Sequence, residues 1–559
     1  MKLLSGLAAV ALAATTLTLP SSASAATTDP TQRADDWIAA ELTDGLAVGQ
    51  YGADVGLSVD AGLALDATGR ADTAAAIGDA IGSRLVTSDD VPYGYVSSDE
   101  GGQVGHYANA TAKAAAFTQR IGRDAATAYP AVDLVDQLET LTDDATGVIA
   151  DDSSFGNYAN TIGQAFAAEA LTVAGSAEAG AATAALLDQQ CPAGYFRFDL
   201  AATACDADEA APSPDTTSLA VLSLVESGDT SAAVTTAIAD ATAWLESVQR
   251  PDGSLEGDAS APGSNANSTG LAAWALGSTG HDAAATKAAA WVRSLQVADA
   301  GACASQAPTG AIAYNPADLT EARSAGIAAN PTVRDKWRRS SFQAAPALLW
   351  TPAAATTLAI STPATAVEKT SVTATVRGLA AGEQACVSLG TDVRRVVGTG
   401  SDLTVTFTLP AGAAARTFTV ATLDGTATST TSATAVPPVV TPPAPAPSVG
   451  ELSAAKVVKV RKNRFKVTVA CDATVACAGT LTVRTAGKVK VPGMVRKKLV
   501  TVSERTYTVA PGGEKRLVLK LTKTARVLVA DGPLKVRAVQ KAKGAQRSVT
   551  TFRLKAAKG

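Results

Sequence analysis

The chain has 559 residues, 47% hydrophobic and 18% charged, with only 2 His and 2 Met. That length predicts several domains, and two His leave little for a zinc site or a Ser-His-Asp triad. The formal net charge of −5 hides a division. Residues 26–350 carry 15 Lys+Arg against 42 Asp+Glu, residues 351–449 carry 5 of each, and residues 450–559 carry 26 against 5.

Residues 1–25 read as a secretory signal peptide. Lys2 is the charged start, Leu3 to Leu19 the apolar stretch, and Ala23-Ser24-Ala25 the cleavage site. No Cys follows that site, and no later run is long and apolar enough to span a bilayer. The expectation is a secreted or cell-surface protein with no transmembrane span.

Residues 26–350 repeat one device: a polar loop, then Asn, Asp or Arg, then an Ala-rich helix. Gly105-His-Tyr107-Ala-Asn109, Gly156-Asn-Tyr158-Ala-Asn160 and Gly263-Ser-Asn265-Ala-Asn267 are its clearest copies. Weaker ones end at Asp60, Asp215 and Arg339. A period near 50 predicts a helical repeat array. Each unit reads as an amphipathic helix followed by one apolar nearly all round, such as Thr269-Gly-Leu271-Ala-Ala-Trp274-Ala-Leu276. The second kind must be buried and the first must cover it. Six such pairs close into an (α/α)6 toroid, with an open solenoid as the rival.

The loop-ending residues Asp60, Asn109, Asn160, Asp215 and Asn267 suit helix N-caps. In a closed ring the inner helices run parallel, so their positive ends meet at one end of a central cavity and favour a polar or anionic ligand. Two residues before each loop end lie Ser58, Tyr107, Tyr158, Ser213, Asn265 and Trp337, which read as a ligand-facing rim. The candidate ligand-binding residues are therefore Tyr107, Asn109, Tyr158, Asn160, Asn265, Asn267 and Trp337, set against a purely structural capping role. Asp151 and Asp152, close to Phe155 and Tyr158, are the candidates for catalytic carboxylates. Asp89-Asp90 and Asp99-Glu100 flank Tyr93 and Tyr95 in the same manner. In so acidic a segment such neighbours also arise by chance.

Gln190-Cys-Pro-Ala-Gly194-Tyr-Phe196 and Gln249-Arg-Pro-Asp-Gly253-Ser-Leu255 share a turn of the form Q-x-x-x-G-x-hydrophobic. Gln296 ends a third helix, with its Gly expected at Gly301. These residues resemble the repeat of the terpenoid-cyclase, squalene-cyclase and protein-prenyltransferase toroid superfamily, over roughly residues 30–350. The resemblance implies a fold more than a chemistry. The Asp-rich D-x-D-D motif of the class II terpene cyclases has no match: Asp133-Leu-Val-Asp136 and Asp206-Ala-Asp208-Glu209 lack the pattern. The Asp, Cys and His set of the zinc prenyltransferases and the Gly-Cys-Gly-Glu-Gln thioester sequence are missing too. No cofactor or metal is expected.

Residues 351–435 change to period two, as in Ser371-Val-Thr-Ala-Thr-Val376, and read as a β-sandwich. Residues 436–449 hold six Pro and form a semi-rigid linker. Residues 450–559 alternate apolar with basic residues and resemble the Ig-like modules that end many actinobacterial exported proteins. Their charge points to an anionic wall polymer or membrane headgroups, with attraction to an acidic toroid or a merely solubilising surface as the alternatives. Nucleic acid is disfavoured because only Phe465, Tyr507 and Phe552 are aromatic.

Disulfides suit an exported chain. Cys191 with Cys205 and Cys471 with Cys477 are local pairs; Cys303 and Cys386 are left over, a bridge between domains being one option. Three functions remain: a non-catalytic binding protein, a toroid enzyme acting on an isoprenoid or a glycan, and an adhesive or structural surface protein.

Overall fold

The computed structural model describes residues 29–85, 94–207, 212–441 and 443–557. The chain divides into two compact units, residues 1–436 and 437–559. The first unit begins with thirteen described α-helices. They are α1 (Pro30–Ala40), α2 (Val55–Ala67), α3 (Ala71–Ile81), α4 (Ala108–Arg120), α5 (Leu134–Thr140), α6 (Thr161–Ala174) and α7 (Ala179–Leu187). Then come α8 (Pro214–Glu226), α9 (Ala232–Val248), α10 (Ala266–Ser278), α11 (Asp282–Leu295), α12 (Pro316–Ala325) and α13 (Pro331–Ala344).

Six of these close a cycle. α2 packs on α4, α4 on α6, α6 on α8, α8 on α10, α10 on α13, and α13 returns to α2. Outside them α3, α5, α7, α9 and α11 each cover the inner helix that precedes them, and α1 packs on α13. The Ala-rich inner sequences explain the close approach. At Gly163 of α6, an added Cβ would stand 1.8 Å from Asn109 Oδ1 of α4.

The repeat has a stricter period than its loops suggest. The N-caps of the first five inner helices are Asp54, Tyr107, Asn160, Ser213 and Asn265, at steps of 53, 53, 53 and 52 residues. Four residues past the cap, a side chain inside each helix accepts a backbone N–H from the loop below. Ser58 Oγ takes Ala47 N at 2.9 Å, Gln164 Oε1 takes Ile149 N at 3.0 Å, Thr217 Oγ1 takes Phe196 N at 3.0 Å and Thr269 Oγ1 takes Leu255 N at 2.9 Å. In α4 the equivalent Thr111 accepts from Gln137, which also donates to Val96 O. In α13 Ser341 Oγ takes Ile312 N at 2.9 Å. That puts Trp337 at the cap position, seven residues inside a helix whose N-cap is Asn330.

This register corrects the expected caps. Only Asn160 closes its loop as the N-cap; Asp60, Asn109, Asp215 and Asn267 lie inside α2, α4, α8 and α10. The start of α4 after Tyr107 is supported from the neighbouring loop, where Asp151 Oδ1 accepts Ala108 N at 2.7 Å.

The Gln turns tie the outer layer together. Gln190 Nε2 donates to Gly194 O and to Ala237 O of α9; Gln249 Nε2 donates to Gly253 O and to Ala284 O of α11. Gln296 Nε2 donates to Pro30 O of α1, at 2.8 Å, and to Gly310 O. The third Gly is thus Gly310, not Gly301, because a longer loop separates Gln296 from its turn. The last of these links joins the end of α11 to the first residue of α1.

Strands follow in the rest of the first unit. A three-stranded sheet (Leu403–Thr408, Ser371–Arg377, Ala359–Ser361) accompanies a five-stranded one (Asp392–Val397, Gln384–Leu389, Ala415–Ala421, Thr426–Thr434, Thr365–Val367). Their shared core includes Phe407 and Phe418, edge to face at 5.6 Å. The Cys303–Cys386 disulfide fastens this β part to the helical part. Gln384 adds hydrogen bonds to the carbonyls of Ser294 and Gln296.

The second unit has a three-stranded sheet (Glu451–Ser453, Arg464–Ala470, Glu514–Lys520) and a five-stranded one. The latter runs in the order Val457–Val460, Ser548–Ala556, Leu534–Lys541, Cys477–Thr485 and Thr501–Val509. An eight-residue helix, α14 (Lys523–Ala530), departs from the all-β expectation; Thr522 caps it and Ala525 and Val529 bury its inner face. Cys471–Cys477 and Cys191–Cys205 are paired as well. Val449, at the end of the Pro-rich segment, is buried, and its carbonyl accepts from Tyr507 Oη and Gln540 Nε2 of the second unit.

Candidate ligand-binding cavity

A cavity of about 400 Å³ lies inside the cycle of inner helices. All six helices contribute to it at one level. Asp60, Lys113, Phe166, Leu219 and Leu271 each lie six residues beyond their helix N-cap, and Gln343 occupies the matching place in α13. One turn nearer the N-terminal ends, Asn109, Ile162 and Arg339 add to the lining. Leu63, Trp274 and Phe342 supply apolar surface further in.

The two sides of this cavity differ. α2, α4 and α13, with Tyr95 from the preceding loop, present Asp60, Lys113, Asn109, Arg339 and Gln343. α6, α8 and α10 present mainly apolar groups, Ile162, Phe166, Leu219, Leu271 and Trp274, with Asn160 the polar exception. Leu63 of α2 and Phe342 of α13 add apolar surface to the first side. Such a split suits a molecule with one polar end and one apolar body.

An ion pair anchors the polar side. Lys113 Nζ lies 2.6 Å from Asp60 Oδ1 and donates to Gly56 O at 3.0 Å. Burial alone would lower the Lys113 pKa, but Asp60 and Tyr95 outweigh it and hold it above the usual lysine value. Burial pushes the Tyr95 hydroxyl up, keeping it protonated. Among the described residues Asp60 is the one carboxylate lining the cavity, and it is paired with Lys113. Arg339 is more open: its nearest carboxylate, Asp54, is 3.5 Å away and its side chain is half exposed.

The sequence-derived candidates scatter around this site. Asn109 and Asn160 line the cavity, where Asn109 Oδ1 accepts Asn160 N at 3.1 Å and Nδ2 donates to Tyr158 O at 2.9 Å. Asn267 holds Gln343 from the next helix, Nδ2 to Oε1. Asn265 is buried as the N-cap of α10, and Trp337 is buried within α13. Tyr158 is 67% exposed. Tyr107 bonds Ser98 Oγ at 2.7 Å and Glu100 Oε1 at 2.8 Å. Ser154, Ser153 and Tyr107 together hold the Glu100 carboxyl at about 2.

Asp151 has both oxygens engaged, by Ala108 N and Tyr158 N, which is the work of a cap. Asp152 pairs through its backbone with His106. Neither lines the cavity. Asp89, Asp90, Tyr93, Asp208 and Glu209 lie outside the described residues. Reading the sequence did not single out Lys113 or Gln343. The signal was a lone Lys in the run Ala-Thr-Ala-Lys-Ala-Ala-Ala-Phe117, at the same offset as Asp60 one period earlier.

Asp215 stands one turn nearer the N-terminus of α8 than Leu219. Its Oδ1 is buried without a hydrogen-bond partner, and burial raises the carboxyl to about 6 against a weak opposing bond from Ser268. Among the described residues no group of three or more His, Cys, Asp or Glu side chains could hold a metal ion, and no helix is long and apolar enough to cross a membrane.

No family model and no curated protein matches the chain. Among solved structures it is similar to a protein from Actinoplanes, at 17% identity and a TM-score of 0.41, over 57% of this chain and 98% of that one. It is also similar to the type II terpene cyclase MstE from Scytonema, at 15% identity and a TM-score of 0.40, over 57% and 96%. A glycosidase is similar at 12% identity and a TM-score of 0.37, over 58% and 97%.

Proposed function

We propose that this is an exported, non-catalytic binding protein whose (α/α)6 toroid holds one small amphipathic molecule. Ig-like modules then carry it, and the basic C-terminal one retains it on an anionic wall polymer. The observation behind the first claim is the division of the cavity into a polar half around Asp60, Lys113 and Arg339 and an apolar half around Phe166, Leu219 and Trp274. Arg339 and the N-terminal ends of the inner helices would meet an anionic or strongly polar head group. The apolar half would receive a short hydrocarbon or ring body.

A binding role fits the described lining, whose single carboxylate is ion-paired, since glycan hydrolysis needs two working carboxyl groups. Titration with decanoate, followed by calorimetry, tests the reading. Saturable 1:1 binding that Leu219→Trp removes, with thermal unfolding unchanged, supports it; no binding of decanoate or of a bulkier terpenoid carboxylate would defeat it.

A second reading, an enzyme acting on an isoprenoid, draws on Asp215, whose raised carboxyl is protonated in mildly acidic solution. Product formation from a polyprenyl substrate that Asp215→Asn abolishes would favour it over simple binding.

A further inference from the structure

The proposed anion-binding role of the C-terminal module, on which this inference rests, becomes specific in its five-stranded sheet. Three cross-strand neighbours on the solvent face carry like charge directly opposite one another: Lys459 with Lys555, Lys535 with Arg553, and Arg484 with Arg537. All six side chains are exposed. Directly opposed like charges destabilise a sheet. Among the described residues no ion pair involves any residue of 450–559. The carboxylate of the same face, Glu504, sits on the edge strand opposite Thr482, diagonal to Arg484 at the margin of the cation cluster.

We propose that this face docks a linear, phosphate-bearing polyanion laid across the strands. Neighbouring strands are about 4.8 Å apart and same-face residues along a strand about 7 Å, so the cations form a plane of closely spaced charges. Three of the six are Arg, whose forked donors match phosphate oxygens. The module's aromatic rings, Phe465, Tyr507 and Phe552, are all buried. Nothing on this face can stack on a nucleobase or anchor at a membrane interface. Recognition here depends on charge alone, which a chain with an anion on every repeat satisfies.

The test uses the full chain and long-chain inorganic polyphosphate. One variant changes Arg484, Lys535, Arg537 and Arg553 to Gln; a control changes four exposed cations that oppose no other cation, Lys466, Lys515 and Arg516 of the other sheet and Lys523 of α14, to Gln. Wild type should bind with an affinity that falls steeply as salt rises. The face variant should lose at least about tenfold in affinity and about 3–4 from the log–log salt slope, while the control keeps most of both. Equal losses in the two variants would overturn the face while leaving the module an anion binder. No binding by wild type would overturn both claims, and preference for anionic lipid vesicles over polyphosphate would overturn the polymer.

Discussion

Lys113 on α4 and Asp60 on α2 meet at 2.6 Å inside the cavity, joining two neighbouring inner helices through their side chains. The pair is mostly withdrawn from water, with side-chain exposures of 19% and 16%. Removing one partner strands the other's charge, which costs about 3 kcal/mol at sites of this kind. Lys113→Met or Asp60→Asn alone should therefore lower stability by about 2–3 kcal/mol. The double variant Asp60→Asn/Lys113→Met should recover most of that loss. Urea unfolding of all four proteins measures the coupling, and additive losses would show that the pair acts as two separate charges.

Asp215 gives a pH signature. Its folded carboxyl titrates at about 6 against an ordinary 3.8, chiefly through burial. Between those values the unfolded chain is ionised while the folded one holds its proton. Stability is therefore lost as pH rises from about 4 to 6 and stays low above that. Asp215→Asn should be as stable as wild type at pH 3 and more stable by up to about 3 kcal/mol at pH 7. Thermal melts at the two pH values decide this.

The Gln links should behave as copies of one device. Gln190→Ala, Gln249→Ala and Gln296→Ala each leave two backbone carbonyls short of a donor, at a cost of about 1–3 kcal/mol. The three losses should agree within about 1 kcal/mol, since the surroundings repeat. Gly310→Ala should exceed them. Its φ is +97° and an added Cβ would stand 2.1 Å from Arg33 O.

The Cys303–Cys386 bridge spans 83 residues and fastens the first β part to the helices. Replacing both with Ser should reduce stability by about 2–4 kcal/mol. Limited proteolysis of this variant should cut near residues 351–358 sooner than in wild type.

The helical repeat and the Gln turns were legible because each rests on a local pattern with constant spacing. The helix starts were less so. Gly105–Asn109 and Gly156–Asn160 look like equivalent loops, yet the structure matches Tyr107 with Asn160, a shift of two residues. The N-caps of α8 and α10 likewise lie two residues before Asp215 and Asn267, so the shift belongs to the common register, which one loop's sequence does not reveal. Asp151 supports the start of α4 from the next loop. Trp337 misleads for a related reason, because α13 extends two turns beyond the common start and buries it. Asn109 and Asn160 were found as polar residues at helix starts, whereas Lys113 emerges only once the 53-residue register places it level with Asp60, and Gln343 only once the Ser341 hydrogen bond aligns α13 with the other five.

Native mass spectrometry of the protein purified from its own host tests the central claim most directly. The expected result is a mass excess that disappears on denaturation and is missing from Leu219→Trp, whose added ring fills the apolar half of the cavity. Identical native and denatured masses for wild type, persisting after incubation with decanoate, would contradict a ligand-holding ring.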